Sequence, residues 1–145
     1  MITSRKLEDL LPSVKEKVTN WLAACAGAGV DVLVTCTLRD DESQNCLYAQ
    51  GRTVPGPICT KAKGGESFHN FRLAIDIVPI VNGKPLWTTH DVRGMLLPTW
   101  QTIVTLAKKE GLEWAGDWIG FKEYCHFQDS GGKTLKQFRD ERAAK

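Results

Sequence analysis

Between Leu7 and Leu22 the apolar residues Leu7, Leu10, Leu11, Val14, Val18, Trp21 and Leu22 recur at steps of three and four, the spacing that collects side chains on one helix face. The pattern predicts a helix that starts at Ser4 and stops near the Gly27-Ala28-Gly29 breaker. Pro12 interrupts it. Either the helix is continuous, or residues 4–11 form a separate short piece and Pro12 occupies the first turn of the main helix. Residues 31–38, Asp-Val-Leu-Val-Thr-Cys-Thr-Leu, are rich in β-branched side chains and predict a buried strand. Asp40-Asp41-Glu42-Ser43 then offers helix-start chemistry for a short helix carrying Cys46, Leu47 and Tyr48 toward Gly51.

The hydrophobic period disappears over residues 53–65, where Pro55, Gly56, Pro57, Gly64 and Gly65 predict a long loop. Loops of that length in a compact domain are usually functional or mobile. A second strand follows over residues 73–81, with Asn82-Gly83 as a hairpin turn and residues 84–87 continuing outward. Trp100, Ile103, Val104 and Ala107 mark a second long helix, closed by Gly111. Residues 112–118 and 123–127 are short strand candidates, and the polar segment 130–145 reads as a helix-prone, loosely attached tail. The expected fold is α+β, helices packed on a small antiparallel sheet. All 145 residues are assigned to a single domain.

Composition narrows the function classes. A hydrophobic fraction of 42% with 25% charged residues is that of an ordinary globular chain. Nineteen basic against seventeen acidic residues leave a formal charge of +2, too small an excess for a nucleic-acid footprint. No stretch approaches the roughly 20 apolar residues that span a bilayer, so no membrane partner is expected. The amino terminus lacks the apolar core of a signal peptide. The five cysteines are odd in number and contain no Cys-x-x-Cys pair, which argues against a disulfide framework and thiolate zinc fingers. Reduced, mostly buried thiols are expected.

The chemistry gathers around two of the three histidines. His69 precedes Asp76 by seven residues, and Glu123 precedes His126 by three. Two imidazoles and a carboxylate suffice to hold a catalytic zinc ion and leave a fourth position open, and a nearby glutamate is useful there as a general base. The bland alternative is that these are ordinary polar and capping residues. Seven positions also put His69 and Asp76 on opposite faces of a flat strand, so they converge only if the chain turns near Asn70-Phe71-Arg72. Trp114 and Trp118 either line a cleft or fill the core, His90 beside Asp91 reads as a surface or rim residue, and Cys125 as a core thiol.

Ser67-x-His69, Ala74-x-Asp76, Trp114-Ala-Gly-Asp-Trp118 and Glu123-x-x-His126-Phe127, taken in order, resemble the zinc peptidases of the D-alanyl-D-alanine carboxypeptidase superfamily. They are most similar to its phage-type L-alanyl-D-glutamate endopeptidases, or endolysins. The resemblance extends upstream to Tyr48-Ala-Gln-Gly-Arg52-Thr53 and covers roughly residues 30–128. It implies that His69, Asp76 and His126 hold one zinc per chain, that the metal site lies at the sheet edge, and that Glu123 is the catalytic base. Arg52 would meet the oxyanion, and Ser67 would either touch substrate or order its loop. Arg72 departs from the glycine of many relatives, which bears on the turn after His69, and Glu123 stands where some endolysins carry aspartate.

The function implied is hydrolysis of peptidoglycan stem peptides between L-Ala and D-Glu, by a monomer with no nucleic-acid partner. Two rivals stand beside it: a D,D-carboxypeptidase or dipeptidase acting on D-Ala-D-Ala, and a non-catalytic zinc-bearing domain that binds cell wall or protein. The intact Glu123 disfavours the second, since a pure binder needs no base. By the same resemblance, the protein would accumulate in a host cytoplasm and reach the cell wall after release through a holin lesion.

Overall fold

The computed structural model describes residues 1–145. The first helix, α1, runs over Pro12–Gly27 with Pro12 at its start and is preceded by a 3₁₀ turn at Leu7–Asp9, so proline divides the amino-terminal pattern into two pieces. Strand β1 (Asp31–Cys36) and helix α2 (Asp41–Ala49) follow; the Asp40 side chain accepts the Ser43 N–H and caps α2. The remaining elements are β2 (Ala74–Val81), β3 (Lys84–Pro85), α3 (Pro98–Lys109), β4 (Glu113–Trp114), β5 (His126–Gln128) and α4 (Leu135–Ala143). The sheet is antiparallel in the order β1-β2-β5-β4, with β3 hairpinned onto β2.

Val14, Val18, Trp21 and Cys25 of α1 and Trp100, Ile103 and Ala107 of α3 share one core with Ile75, Ile77 and Phe127 of the sheet. The Trp21 and Phe127 rings lie 4.6 Å apart, and the Trp21 indole N–H donates to the Ile103 carbonyl. Each such buried side chain contributes about 1.5–3 kcal/mol. Strand alternation does the rest. With Ile75, Ile77 and Phe127 turned into the core, Asp76, His126 and Gln128 point to the other face of the sheet.

Four expectations change. Strand β1 is not buried: it lies at the edge of the sheet, with Leu33 exposed and only Cys36 fully buried. Residues 112–118 are not one strand: β4 is two residues long and passes into a 3₁₀ turn at Ala115–Asp117. A side chain on Gly116 would lie 2.2 Å from the Trp114 ring, so the backbone folds back over that indole and the two tryptophans part. Trp114 enters the core, and Trp118 stands 5.3 Å from the His126 ring. The tail is not loose, because Thr134 and Gln137 form a capping box for α4 and Phe138 packs on Phe68 and Phe71. The cysteines are all free, but Cys46 and Cys59 are exposed and only Cys25 and Cys36 fully buried.

Candidate metal centre and active-site cleft

The convergence of His69 and Asp76 begins with a turn. Residues Phe68–Phe71 form a 3₁₀ helix whose capping box is made by Ser67 and Asn70, and Arg72 closes it at φ 64°, in the left-handed region. The turn reverses His69 onto the face that Asp76 presents from β2. Register supplies the third group, because Asp76 pairs with His126 across β2 and β5. Asp76 Oδ1 lies 3.0 Å from His69 Nε2 and 3.1 Å from His126 Nδ1.

The outer hydrogen bonds fix what these atoms offer. His69 Nδ1 sits 2.8 Å from the Thr37 carbonyl, an acceptor only, so the ring hydrogen is on Nδ1 and Nε2 presents a lone pair. His126 Nε2 donates to Gln128 Oε1 at 2.8 Å, and the Gln128 amide nitrogen faces Glu113 at 3.4 Å, which sets the orientation of that amide. Both imidazoles therefore aim a lone pair at one carboxylate oxygen. Such an arrangement is repulsive unless a proton or a cation lies between. Imidazoles oriented by carbonyl oxygens beside a carboxylate are the donor types of a candidate metal site with outer hydrogen bonds in place. A tetrahedral ion with ligand bonds of about 2.0–2.1 Å holds its donors roughly 3.3 Å apart, close to the spacings around Asp76.

Without a cation, a proton on His69 fills part of that role. Burial works against charge on His69, but the adjacent Asp76 carboxylate outweighs it and holds the ring's pKa up at about 10. Burial likewise opposes ionisation of Asp76, and the two histidines overcome it, keeping the carboxyl far below its usual range. The group is thus poised to exchange protons for a divalent cation.

Around it opens a cleft of about 940 Å³. Ser67 lines it and accepts the His69 N–H, so the motif serine both orders the turn and reaches the cavity. Glu123 lines it as well: the chain turns through Tyr124 and Cys125, with His126 N–H donating to the Glu123 carbonyl, and carries the carboxylate to the same cavity as His126. Cys125, partly buried, packs against the core as expected and also reaches the cleft; burial pushes its thiol up to about 12, which disfavours the thiolate form.

Arg52 stands apart. Its guanidinium donates to the Tyr48 and Thr60 carbonyls and stacks on the Tyr48 ring, and it does not line the cleft. The arginine at the metal centre is Arg39, just after β1. Its Nη2 lies 4.0 Å from Asp76 Oδ2 and 3.3 Å from Cys36 Sγ, while Nη1 donates to Gln44 Oε1. The Arg39 Nε is buried without a partner. Cys36, paired with Asp76 across β1 and β2, brings its sulfur within 4.8 Å of the His69 and Asp76 donor atoms. Neither residue stood out in the sequence. Their only signal was position, at the end of a predicted strand whose partner carries Asp76. His90 is in contact with the Tyr124 ring and lies outside the cleft.

An α+β domain with a candidate histidine–carboxylate metal site, a nearby carboxylate and a buried arginine at one open cleft has the arrangement used by metal-dependent hydrolases. Residues 60–129 match the family model described as D-alanyl-D-alanine carboxypeptidase. Over 122 residues, 83% of this chain and 73% of the relative, the sequence is 42% identical to the peptidoglycan L-alanyl-D-glutamate endopeptidase CwlK of Bacillus subtilis (strain 168). It is 28% identical over 123 residues to the L-alanyl-D-glutamate peptidase of Listeria phage A118, covering 85% of this chain and 38% of that protein. The fold is shared with Serratia marcescens L-Ala D-Glu endopeptidase ChiX, at TM-score 0.60 and 18% identity, with 94% and 92% of the two chains covered. It is shared too with the LD-carboxypeptidase LdcB, at TM-score 0.62 and 20% identity, with 92% and 64% covered. The chain belongs to the D-alanyl-D-alanine carboxypeptidase family and is a metallopeptidase.

Proposed function

We propose that the protein is a zinc-dependent endopeptidase that cuts peptidoglycan stem peptides between L-Ala and D-Glu, with one zinc per chain held by His69, Asp76 and His126. The observation that carries the reading is the shared aim of the two imidazole lone pairs at Asp76 Oδ1, and the 42% identity to CwlK supports the substrate. A zinc ion there supplies Lewis acidity toward a carbonyl and acidifies water near neutral pH.

The chain's own residues do the remainder. Glu123, half-buried at the cleft wall, takes the proton of the attacking water and passes it to the leaving amine. Arg39, permanently charged and held by Gln44, meets the carbonyl oxygen as negative charge develops on it. Arg52 keeps a structural task, tying α2 to the loop at Thr60. Ser67 orders the turn and turns its remaining hydroxyl hydrogen toward the peptide. In this reading the enzyme meets the wall after a holin opens the membrane, as the phage lysins it resembles would.

The test is mass spectrometry of fragments released from purified peptidoglycan, together with the Glu123→Gln variant. Glutamine keeps the volume but cannot accept the proton, so the variant retains its zinc and loses activity by about a hundredfold or more. Loss of terminal D-Ala alone would assign a carboxypeptidase instead. Near-normal cleavage by the zinc-loaded variant would remove Glu123 as the base.

A further inference from the structure

Helix α4 lies outside the segment matched by the family model, which ends at residue 129, yet it forms part of the cleft. Thr134, Leu135, Lys136 and Arg139 line the same cavity as His69, Asp76 and Glu123. Phe138 is in ring contact with Phe68 and Phe71, at 6.0 and 5.7 Å, on the turn that carries His69. One turn further on, the Arg142 guanidinium forms a two-pronged ion pair with Asp41 of α2 at 3.1 and 2.8 Å and lies over the Phe71 ring. These anchors clamp the helix across the cleft, and they leave Arg139 at its wall.

Arg139 differs from the other cations of α4. Lys136 pairs with Asp140, and Arg142 with Asp41. Arg139 is half-buried and makes no ion pair; its one bond to the protein is from Nη1 to the Gly65 carbonyl, 3.1 Å away and two residues before Ser67. A guanidinium carries five N–H donors in a planar fork, so most of them are unspent. Gly65 makes the close approach feasible: at φ 82° it adopts a conformation suited to glycine, and a side chain there would lie 3.3 Å from Arg142 Nη2 and 3.4 Å from Arg139 Cδ. The carboxylates that share the cleft, Asp76 and Glu123, are committed to the metal centre and to proton transfer, and Glu66 is exposed. A fork held in place without a carboxylate is built to receive one from outside.

We propose that Arg139 is a substrate-binding residue that recognises the free carboxylate of the D-glutamyl residue on the leaving side of the scissile bond. The inference rests on the endopeptidase reading above. A D-glutamyl residue has two carboxyl groups and uses only one to continue the peptide. The other is an anion when free and neutral when amidated, and α4 discriminates between the two forms.

The experiment uses the metal-loaded 145-residue chain and two synthetic stem peptides that differ only in a carboxylate or a carboxamide on that residue. Calorimetric dissociation constants are measured in the inactive Glu123→Gln background and kcat/KM in the active enzyme, each with Arg139 intact and with Arg139→Gln, Arg139→Lys or Phe138→Ala. Arg139→Gln weakens binding of the acid peptide tenfold or more and of the amide peptide less than threefold, and Arg139→Lys recovers part of the loss. Phe138→Ala, which undocks the helix, impairs both peptides. Equal losses for the two peptides with Arg139→Gln, or no loss, overturns the proposal. Failure of the wild type to cut either peptide at L-Ala–D-Glu refutes the endopeptidase reading, while the dissociation constants still decide whether Arg139 reads a carboxylate.

Discussion

Exchanging the two arginines separates the geometry from the motif. Arg39 is 14% exposed, with its guanidinium 4.0 Å from Asp76 Oδ2, whereas the Arg52 fork is spent on the Tyr48 and Thr60 carbonyls. At 4 Å and an effective dielectric of about 20, a unit charge pair is worth roughly 4 kcal/mol. Removing one donor to a developing oxyanion costs about 2.7–4 kcal/mol, a factor of about 10²–10³ in kcat. Arg39→Ala should therefore lose kcat by that factor. It should also keep its metal at least as tightly, because a cation that competes for Asp76 has gone. Arg52→Ala removes hydrogen bonds worth about 1 kcal/mol each to a surface loop, and its kcat should stay within about threefold of wild type. The assay is steady-state hydrolysis of a synthetic stem peptide with metal content measured on the same samples. A hundredfold loss in metal-loaded Arg52→Ala alongside a nearly unaffected Arg39→Ala would refute the reasoning.

Gln128 orients His126 from behind, so Gln128→Leu should weaken metal affinity ten- to hundredfold without unfolding the protein; competition with a chelator reads this directly. Because the metal-free His69 keeps its proton up to about pH 10, metal uptake at neutral pH should release protons and tighten as pH rises, measured by calorimetry in buffers of different ionisation enthalpy. In the metal-free protein the same raised pKa gives stability that is complete below the unfolded value near 6.5 and is lost as pH rises through about 10, a trend visible in denaturant melts. Arg72 occupies a left-handed conformation that costs a non-glycine residue roughly 1–2 kcal/mol; glycine relieves it but adds roughly 0.5–1 kcal/mol of unfolded-chain entropy, so Arg72→Gly should gain up to about 1 kcal/mol in a melt, and a loss of stability would refute the strain argument.

The helices and the two long strands were legible because their patterns are local. The apolar face of α1, Pro12 at its start and the Asn82-Gly83 turn each declare themselves within a few residues. The strand expected over residues 112–118 failed for a reason no periodicity carries: Gly116 lets the backbone close over the Trp114 ring. The tail was misjudged because only Phe138 is apolar at its docking face, and its ion pair with Asp41 joins residues 101 apart. His69, Asp76 and His126 were singled out through their motifs, and the fold brings them together. Arg39 and Cys36 were missed because nothing in the sequence states that β1 runs beside β2 in the register that sets Cys36 against Asp76.

That register explains why the site needs so little of the chain. Adjacent antiparallel strands bring Asp76 beside His126 and Cys36 by backbone pairing alone, and the alternation that faces Asp76 and His126 to the cleft is the one that buries Ile75, Ile77 and Phe127. One local device, the Ser67-capped turn closed by Arg72, adds His69. The core stabilises the sheet, and the sheet places Asp76 and His126 together by packing and register alone. In the proposed metal centre this means preorganisation by the scaffold, unlike small zinc domains that fold only with their metal, so chelation should remove the ion without unfolding the protein. Helix α4, the part proposed to read substrate, is attached to that scaffold through Phe138 and Arg142, so on this reading specificity can change without disturbing the strands that carry Asp76 and His126.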